Sequence, residues 1–181
     1  MKRVLIPLAP GFEEIEALTA VDILRRAGAE VTLAGTVDGP IEGRNRIRVV
    51  ADTSMDKAGV DYDMIVLPGG AEGTENLKKD PRVRKTVEDL HARKRFVAAI
   101  CAAPSVLSDI GITGDSVITS HPSVRRKLKA KRISEERVVV DGNLITSQGP
   151  GTAMEFAFRL VEALYGPEKA AEVNKGVLAR I

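Results

Sequence analysis

The chain has 181 residues, with 27 basic and 25 acidic side chains, and its formal net charge is +2. This balance provides no overall field for nucleic acid or an anionic membrane, so function must depend on local chemistry. Because 44% of the residues are hydrophobic and only 3% are aromatic, we expect one domain over residues 1–181 with an aliphatic core.

A single cysteine, Cys101, excludes an intrachain disulfide and favours a reducing compartment. No segment approaches the roughly 18 apolar residues of a membrane span. The opening MKRVLIPLAPGFEE has a short apolar run closed by acids, unlike a secretory signal. We therefore expect a cytoplasmic protein. The two histidines lack Cys or acidic neighbours at ligand spacing, so no metal site is predicted, and His91 is interpreted as a solvent-facing helix residue.

The first half of the chain alternates short apolar runs with helical periodicity. In the helix EEIEALTAVDILRRAG, we expect Ile15, Leu18, Val21, Ile23 and Leu24 to face inward and Gly28 to end the helix. A second helix, DPRVRKTVEDLHARK, begins with Asp80 as a cap and Pro81 in its first turn. The predicted strands cover 3–8, 29–35, 63–70 and 95–100.

The second half predicts strands in SVITSH and in RVVVDGNLITSQ, a pair joined by a DG turn. Thr152 and Glu155 have capping-box spacing for a helix that reaches Leu164, and GPEKAAEVNKGVL is another helix. Residues 37–61 are expected to hold an edge hairpin and a short helix. The pattern predicts an α/β fold, an open and mostly parallel sheet with helices on both faces, which binds ligands at the carboxyl ends of its strands.

Cys101 lies where a predicted strand gives way to a helix. It directly follows RFVAAI and precedes AAPSVLSDIG, with Pro104 suited to the first turn of a helix. This order is that of a nucleophile elbow, and a helix N-terminus beneath the sulfur would favour the thiolate. A lone cysteine in an apolar run is also a common structural residue, and its position alone leaves both interpretations open.

Two further strand ends face the same crevice. Gly69 and Gly70 close VLPGG, where exposed amides can stabilise an oxyanion, although a tight turn alone also explains the pair. Glu16 begins a helix beside apolar residues, and a desolvated carboxyl there would have a raised pKa and work as an acid and base. Acids at a helix N-terminus are also ordinary complements of the helix dipole.

The segments LAPGFEEIEAL, VDILRRAG, VLPGG, AAICAAP, SHP and TSQGPGTAMEF together resemble the ThiJ/PfpI superfamily. The resemblance is to the branch of the Parkinsonism-associated protein deglycase and its bacterial relatives, and it runs from Lys2 to Val177. It implies a flavodoxin-like, doubly wound sandwich that forms a homodimer. It also implies that Cys101 is a reactive elbow cysteine, that a protonated Glu16 touches its sulfur, and that His121 lies close to it.

The same resemblance assigns supporting positions. Gly70 and Ala102 correspond to the backbone amides of the oxyanion site, and Gly69 precedes the first of them. Asp22 and Arg26 correspond to a charged cluster near the dimer interface, and the loop 149–152, which contains Pro150, borders the site. From the residues alone, His121 is interpreted as a surface residue that precedes Pro122.

The chain departs from the family pattern at three positions. Ala103 replaces a glycine that is frequent before the elbow proline. Ala102 stands where protease-like members have histidine, which disfavours an intracellular cysteine peptidase. Asn45 falls where the deglycase branch has an arginine of an anion pocket, with Arg44 and Arg46 beside it, so substrate preference stays open.

The predicted activity is a cofactor-independent conversion of 2-oxoaldehydes, such as methylglyoxal to lactate, with possible repair of glycated proteins. The Cys101 thiolate would attack the aldehyde, the amides of Gly70 and Ala102 would hold the oxyanion, and Glu16 or His121 would move a proton. The alternative is a redox sensor or stress chaperone, in which Cys101 oxidises to a sulfinate. The presence of His121 favours the enzyme.

A basic run, RRKLKAKR over 125–132, has six basic residues in eight. Such a run can contact phosphates. It contains no aromatic residue, however, and acids follow at Glu135 and Glu136, so a nucleic-acid partner is disfavoured.

Overall fold

The chain alternates strands and helices through most of its length, and a computed structural model describes residues 1–180. The strands are β1 (Arg3–Leu8), β2 (Glu30–Gly35), β3 (Ile41–Glu42), β4 (Arg48–Val49), β5 (Thr53–Ser54), β6 (Met64–Leu67), β7 (Phe96–Ile100), β8 (Val117–Ile118), β9 (Arg132–Ile133), β10 (Val138–Asp141) and β11 (Leu144–Ser147). The helices are α1 (Glu14–Arg26), α2 (Ala71–Lys79), α3 (Pro81–Ala92), α4 (Pro104–Ile110), α5 (Ala153–Tyr165) and α6 (Pro167–Val177).

The main sheet has seven strands in the order β10-β11-β7-β6-β1-β2-β5. All neighbouring pairs are parallel except β10 with β11, which form an antiparallel hairpin. Parallel strands need crossover connections, and the helices supply them. The prediction of a doubly wound, mostly parallel sheet is therefore confirmed, and the carboxyl ends of β1, β6 and β7 lie together at one edge of the sheet.

Both faces of the sheet are buried, as a parallel sheet requires. The side chains of β1 alternate between two hydrophobic clusters, with Val4 and Ile6 packed among residues of α1 and α5, and Leu5 packed among residues of α2, α3 and α4. This alternation explains why the strands read as continuous apolar runs in the sequence.

Two predicted helix signals are observed. The carboxylate of Asp80 accepts hydrogen bonds from the amides of Arg82 and Val83, and Pro81 occupies the first position of α3. Gly28 has a φ of 86° directly after the end of α1, a backbone conformation that glycine adopts without a steric cost.

The predicted inward face of α1 is wrong at two positions. Ile15 and Leu18 are 55% and 36% exposed, whereas Ile23 and Leu24 are buried as expected. The buried stripe of α1 instead includes Glu16, Ala17 and Ala20. Small and polar residues therefore occupy the first part of the buried face of α1, aliphatic residues occupy its last part, and Ile15 and Leu18 lie on the surface.

Other local predictions also fail. Helix α2 was not predicted, because Pro68, Gly69 and Gly70 precede it and Gly73 is its third residue, and proline and glycine are weak helix formers. The region 37–61 contains the expected hairpin, β3 with β4, but its described residues form no helix. SVITSH contributes only the two residues of β8.

The capping box at α5 is absent. The Thr152 side chain makes no cap hydrogen bond to α5, because its hydroxyl is used by Ser147 and Gly149 in the preceding turn. His91 is half-buried rather than solvent-facing, and its Nδ1 lies 3.3 Å from the side-chain nitrogen of Asn143.

Candidate active site

Cys101 is the first residue after β7, and its φ is 65°. A residue with a Cβ rarely adopts this left-handed conformation, which persists only where surrounding contacts hold it. Here the Cys101 amide donates to the Ser147 carbonyl at 3.0 Å, and its carbonyl accepts from the His121 amide at 2.8 Å. The side chain is thereby turned out of the strand direction, in the manner of a nucleophile elbow.

The sulfur of Cys101 is enclosed, since the residue is only 7% exposed. The backbone amides of Gly70 and Ala102 favour its thiolate form and so lower its pKa, whereas the neighbouring Glu16 carboxyl raises it. A Cβ on Gly69 would lie 2.6 Å from both the Cys101 Cβ and Oε2 of Glu16, so the turn after β6, the elbow after β7 and the first turn of α1 come together around Cys101. The two amides and the carboxyl are groups that can bind and protonate an oxyanion.

Glu16 is 1% exposed, and its two oxygen atoms differ in their environment. Oε2 accepts a hydrogen bond of 2.8 Å from the Gly69 amide, whereas Oε1 is buried without a hydrogen-bond partner. The Glu13 carboxylate accepts from the Glu16 amide at 2.8 Å and so caps α1. A buried carboxyl with one unpartnered oxygen is stabilised in its protonated form.

Glu16 and Cys101 shift each other's pKa. Burial raises the pKa of Glu16 to about 7, while its contacts with Cys101 and with the Gly69 amide oppose that rise. Burial, and then the charge of Glu16, raise the pKa of Cys101 to about 12, against the two amides that favour the thiolate. The Ala102 amide favours the thiolate, the direction expected of a helix N-terminus, but desolvation of the buried sulfur is the larger effect. Between these values the pair holds one proton and one negative charge.

Gly69 and Gly70 have no room for a side chain. A Cβ on Gly69 would lie 2.6 Å from the Cβ of Cys101 and 2.6 Å from Oε2 of Glu16. A Cβ on Gly70 would lie 2.3 Å from the Gly11 carbonyl oxygen, and the φ of Gly70 is 88°. The glycine pair therefore lets the backbone approach the sulfur closely, in addition to forming a turn.

His121 contacts the elbow through its backbone, and its imidazole is exposed. The ring Nδ1 accepts a hydrogen bond of 3.2 Å from the Ser123 amide and lies 2.8 Å from the Ser123 hydroxyl. Because Nδ1 accepts, the neutral ring carries its proton on Nε2. Ser123 was not singled out from the sequence, since a serine two residues after a histidine carries no recognisable signal.

The other predicted positions lie around this centre or away from it. Pro150 begins a short helical turn, in which the Thr152 hydroxyl donates a 2.9 Å hydrogen bond to the Gly149 carbonyl.

Asp22 and Arg26 form an exposed 2.9 Å ion pair on α1, outside the Cys101 site. The backbone and side-chain nitrogens of Asn45 donate to the Glu14 carboxylate at 2.7 and 2.9 Å.

Residues 1–180 contain no group of three or more His, Cys, Asp or Glu side chains arranged to hold a metal ion. None of the helices in this range combines the length and apolar character needed to cross a membrane.

The fold and this site define an α/β protein with a cysteine at a strand-to-helix elbow, at the carboxyl edge of a parallel sheet. Residues 2–163 match the model of the DJ-1/PfpI family. The chain is 42% identical over 185 residues to the Parkinson disease protein 7 homolog of Danio rerio, with 99% of this chain and 98% of that protein covered. The chain belongs to the DJ-1/PfpI family, and the resemblance noted in the sequence is confirmed.

Two further relatives inform the function. The chain is 36% identical over 178 residues to a Caenorhabditis elegans protein named glutathione-independent glyoxalase DJR-1.2, with 96% of this chain and 95% of that protein covered. A solved structure described as oxidized DJ-1 of Toxoplasma gondii superposes with a TM-score of 0.97 at 34% identity, and both chains are covered completely.

Proposed function

We propose that the protein is a cofactor-independent enzyme that adds water to 2-oxoaldehydes and forms 2-hydroxy acids, for example lactate from methylglyoxal. The observation that carries this proposal is the close packing of Cys101 and the buried Glu16 carboxyl around Gly69, together with the amides of Gly70 and Ala102, which favour the thiolate. The name of the Caenorhabditis elegans relative, a glutathione-independent glyoxalase, supports the same reaction class.

The first step joins the sulfur to the aldehyde carbon. Cys101 and Glu16 together carry one negative charge, and Glu16 takes the thiol proton as the sulfur attacks the aldehyde carbon. The aldehyde oxygen becomes an oxyanion between the amides of Gly70 and Ala102. Glu16 then protonates that oxygen, which gives a hemithioacetal. Both amides favour the negative charge of the thiolate, and the same groups would stabilise the negative charge of the new oxyanion.

The second step moves a proton between adjacent carbons. The Glu16 carboxylate removes the proton from the former aldehyde carbon and returns it to the neighbouring carbon, so the ketone becomes an alcohol and the hemithioacetal becomes a thioester. Water then cleaves the thioester, which releases the 2-hydroxy acid and restores the thiol. One water is consumed, and no external electron donor or acceptor is required.

Glu16 is better placed than His121 to carry this proton. The pKa of Glu16 is raised by burial to about 7, and its Oε1 has no competing partner. The Nδ1 atom of His121 accepts from Ser123, and Nε2 carries a proton, so the neutral ring acts as a hydrogen-bond donor. We therefore assign proton transfer to Glu16 and hydrogen bonding of the substrate carbonyl to His121.

The second candidate function is sensing of oxidants through Cys101. The description of the Toxoplasma gondii structure as oxidized favours it, and the same amides and Glu16 would stabilise a sulfinate.

Removal of adducts from glycated proteins would use the same residues as the proposed conversion of 2-oxoaldehydes. With one cysteine and no disulfide, the chain suits the cytoplasm.

We also propose that the protein is a homodimer that associates through α1. Ile15 and Leu18 are exposed there, together with Ile47 and Met154 at 53% and 37%. The Ile47 amide lies 3.4 Å from Oε1 of Glu14, and Leu18 and Met154 line one groove, so Ile47 and Met154 both lie next to α1. A two-fold pair is the commonest way to cover such a surface.

The test is lactate formation from methylglyoxal at about neutral pH, with buffer and free-thiol blanks. We expect Cys101→Ala and Glu16→Ala to abolish turnover and His121→Ala to lower it. If wild type shows no turnover above the blanks while Cys101 oxidises faster than a free thiol, the enzyme proposal is wrong and the sensor is favoured.

A further inference from the structure

A cavity of about 420 Å³ lies between α2 and α4, next to the elbow. Its wall includes Ala71, which follows Gly70, and Ala102, which follows Cys101. The remaining lining residues come from α2, α4 and the turn after His121: Thr74, Glu75, Lys78, Ser105, Asp109, Ser123, Val124 and Lys127. A three-carbon dicarbonyl at Cys101 would leave this space empty, and the volume is in the range of binding pockets for larger molecules.

The charges of the lining largely cancel. The Lys78 ammonium lies 3.0 Å from Glu75 and 3.0 Å from Asp109, and Lys127 is the second cation. Two cations thus face two carboxylates, and no aromatic side chain lines the wall. A strongly anionic ligand and a flat aromatic one are both poorly matched to this surface.

The lining is rich in hydroxyl groups. Thr74, Ser105 and Ser123 each contribute one. Thr74 is 1% exposed, and its Oγ1 is buried without a hydrogen-bond partner. Most buried hydroxyls in proteins have a partner, so the unused Thr74 group points to a ligand that supplies one.

From these observations we propose that the cavity binds the hydroxylated tail of a larger 2-oxoaldehyde, such as a six-carbon dicarbonyl derived from a sugar. The tail would lie between α2 and α4 and exchange hydrogen bonds with Thr74 and the Lys78 cluster while its aldehyde meets Cys101. This inference rests on the proposed reaction, and it adds the substrate class. The product would be the corresponding polyhydroxylated 2-hydroxy acid, formed with one water as above.

The first test compares kcat/KM for 3-deoxyglucosone with that for methylglyoxal in wild type and in Thr74→Val. Valine keeps the shape of threonine and removes the hydroxyl, so we expect the ratio of the two kcat/KM values to fall about fivefold to tenfold. Thr86→Val is the matched control, since the Thr86 hydroxyl donates to the Arg82 carbonyl in α3, away from the cavity. That variant should leave the ratio unchanged.

The second test separates the cavity from the reaction. Millimolar arabitol, a polyol with no carbonyl, should slow the alkylation of Cys101 by iodoacetamide in wild type more than in Thr74→Val, and propylene glycol should not. Protection without turnover of any dicarbonyl would support the cavity and contradict the reaction. Turnover of methylglyoxal with an unchanged ratio in Thr74→Val and no protection by arabitol would overturn the inference.

Discussion

Oε2 of Glu16 accepts a 2.8 Å hydrogen bond from the Gly69 amide, and the space between the two residues is too small for one additional carbon atom. This relationship places the carboxyl against Cys101. It also makes Gly69 a residue whose replacement would disturb the site without removing any functional group.

Gly69→Ala should abolish turnover of 2-oxoaldehydes and lower the free energy of unfolding by about 1–3 kcal/mol, the usual cost of overpacking. The new Cβ would lie 2.6 Å from both Oε2 of Glu16 and the Cβ of Cys101, so one of them must move. Steady-state kinetics and urea unfolding check both effects. Gly114→Ala is the control, because a Cβ there meets nothing within 4 Å; equal activity in the two variants would contradict the packing described here.

Glu16→Gln should change how stability depends on pH. The pKa of Glu16 is raised by burial from 4.5 to about 7, so its favourable contribution is complete below pH 4.5 and is lost as the pH rises through 7. Glutamine does not ionise. The unfolding free energy of wild type relative to Glu16→Gln should therefore fall by roughly 3 kcal/mol from acid to alkaline pH.

Urea unfolding of both proteins at about pH 5 and about pH 8 measures this difference. Comparing the two proteins at each pH removes the contributions of titrating groups that do not interact with Glu16. A constant difference would show that Glu16 titrates normally in the folded protein.

Lactate formed in D₂O should carry deuterium on the carbon that bears the hydroxyl. Glu16 exchanges its proton with solvent, so the proton that it returns to the neighbouring carbon is replaced by deuterium. NMR of the product measures the label. Lactate with only protium at that carbon would indicate direct hydride transfer between the carbons and would remove Glu16 from the proton-transfer role.

Leu18→Glu should weaken self-association at least tenfold, since a carboxylate would be buried in the apolar surface of α1. Sedimentation analysis over a range of protein concentrations provides the dissociation constant. Val140→Glu is the control, because Val140 is 51% exposed on β10 rather than on α1. A monomeric wild-type protein, or equal weakening by both variants, would contradict the proposed interface.

The parts of the fold that were predictable carry strong local signals. Asp80 and Pro81 predict the start of α3, because an acidic capping residue followed by proline is typical of a helix N-terminus. The buried strands β1 and β7 read as short apolar runs because both faces of a parallel sheet are covered. The order of strands and helices then restricted the topology to a doubly wound sheet.

The failures arise where tertiary contacts decide. Ile15 and Leu18 have helical spacing with the buried face, but hydrophobicity does not distinguish a core surface from an association surface. Gly73 weakens the helical signal of α2, yet it fits there because a Cβ would lie 2.7 Å from the Phe12 backbone. The net rise of the thiol pKa could not be predicted, because the sequence shows the helix after Cys101 but not the depth of the burial of its sulfur.

The candidate site was partly visible in the sequence. Cys101, Glu16 and the glycine pair lie at the ends of three predicted elements, and parallel topology brings such ends together. Ser123 and Thr74 were not recognisable in the sequence. Ser123 matters because its amide donates to Nδ1 of His121, and Thr74 matters because it lines the cavity, and both contacts depend on the fold.

The central claim is that Cys101 forms a thioester with the rearranged substrate. Wild type and Cys101→Ala should be mixed with methylglyoxal, quenched within one turnover and treated with hydroxylamine, which converts a lactoyl thioester, but not a hemithioacetal, to lactohydroxamate. We predict lactohydroxamate in an amount limited by the enzyme concentration in wild type and none in Cys101→Ala. Lactate production with no lactohydroxamate, or equal lactohydroxamate in both proteins, would contradict the account.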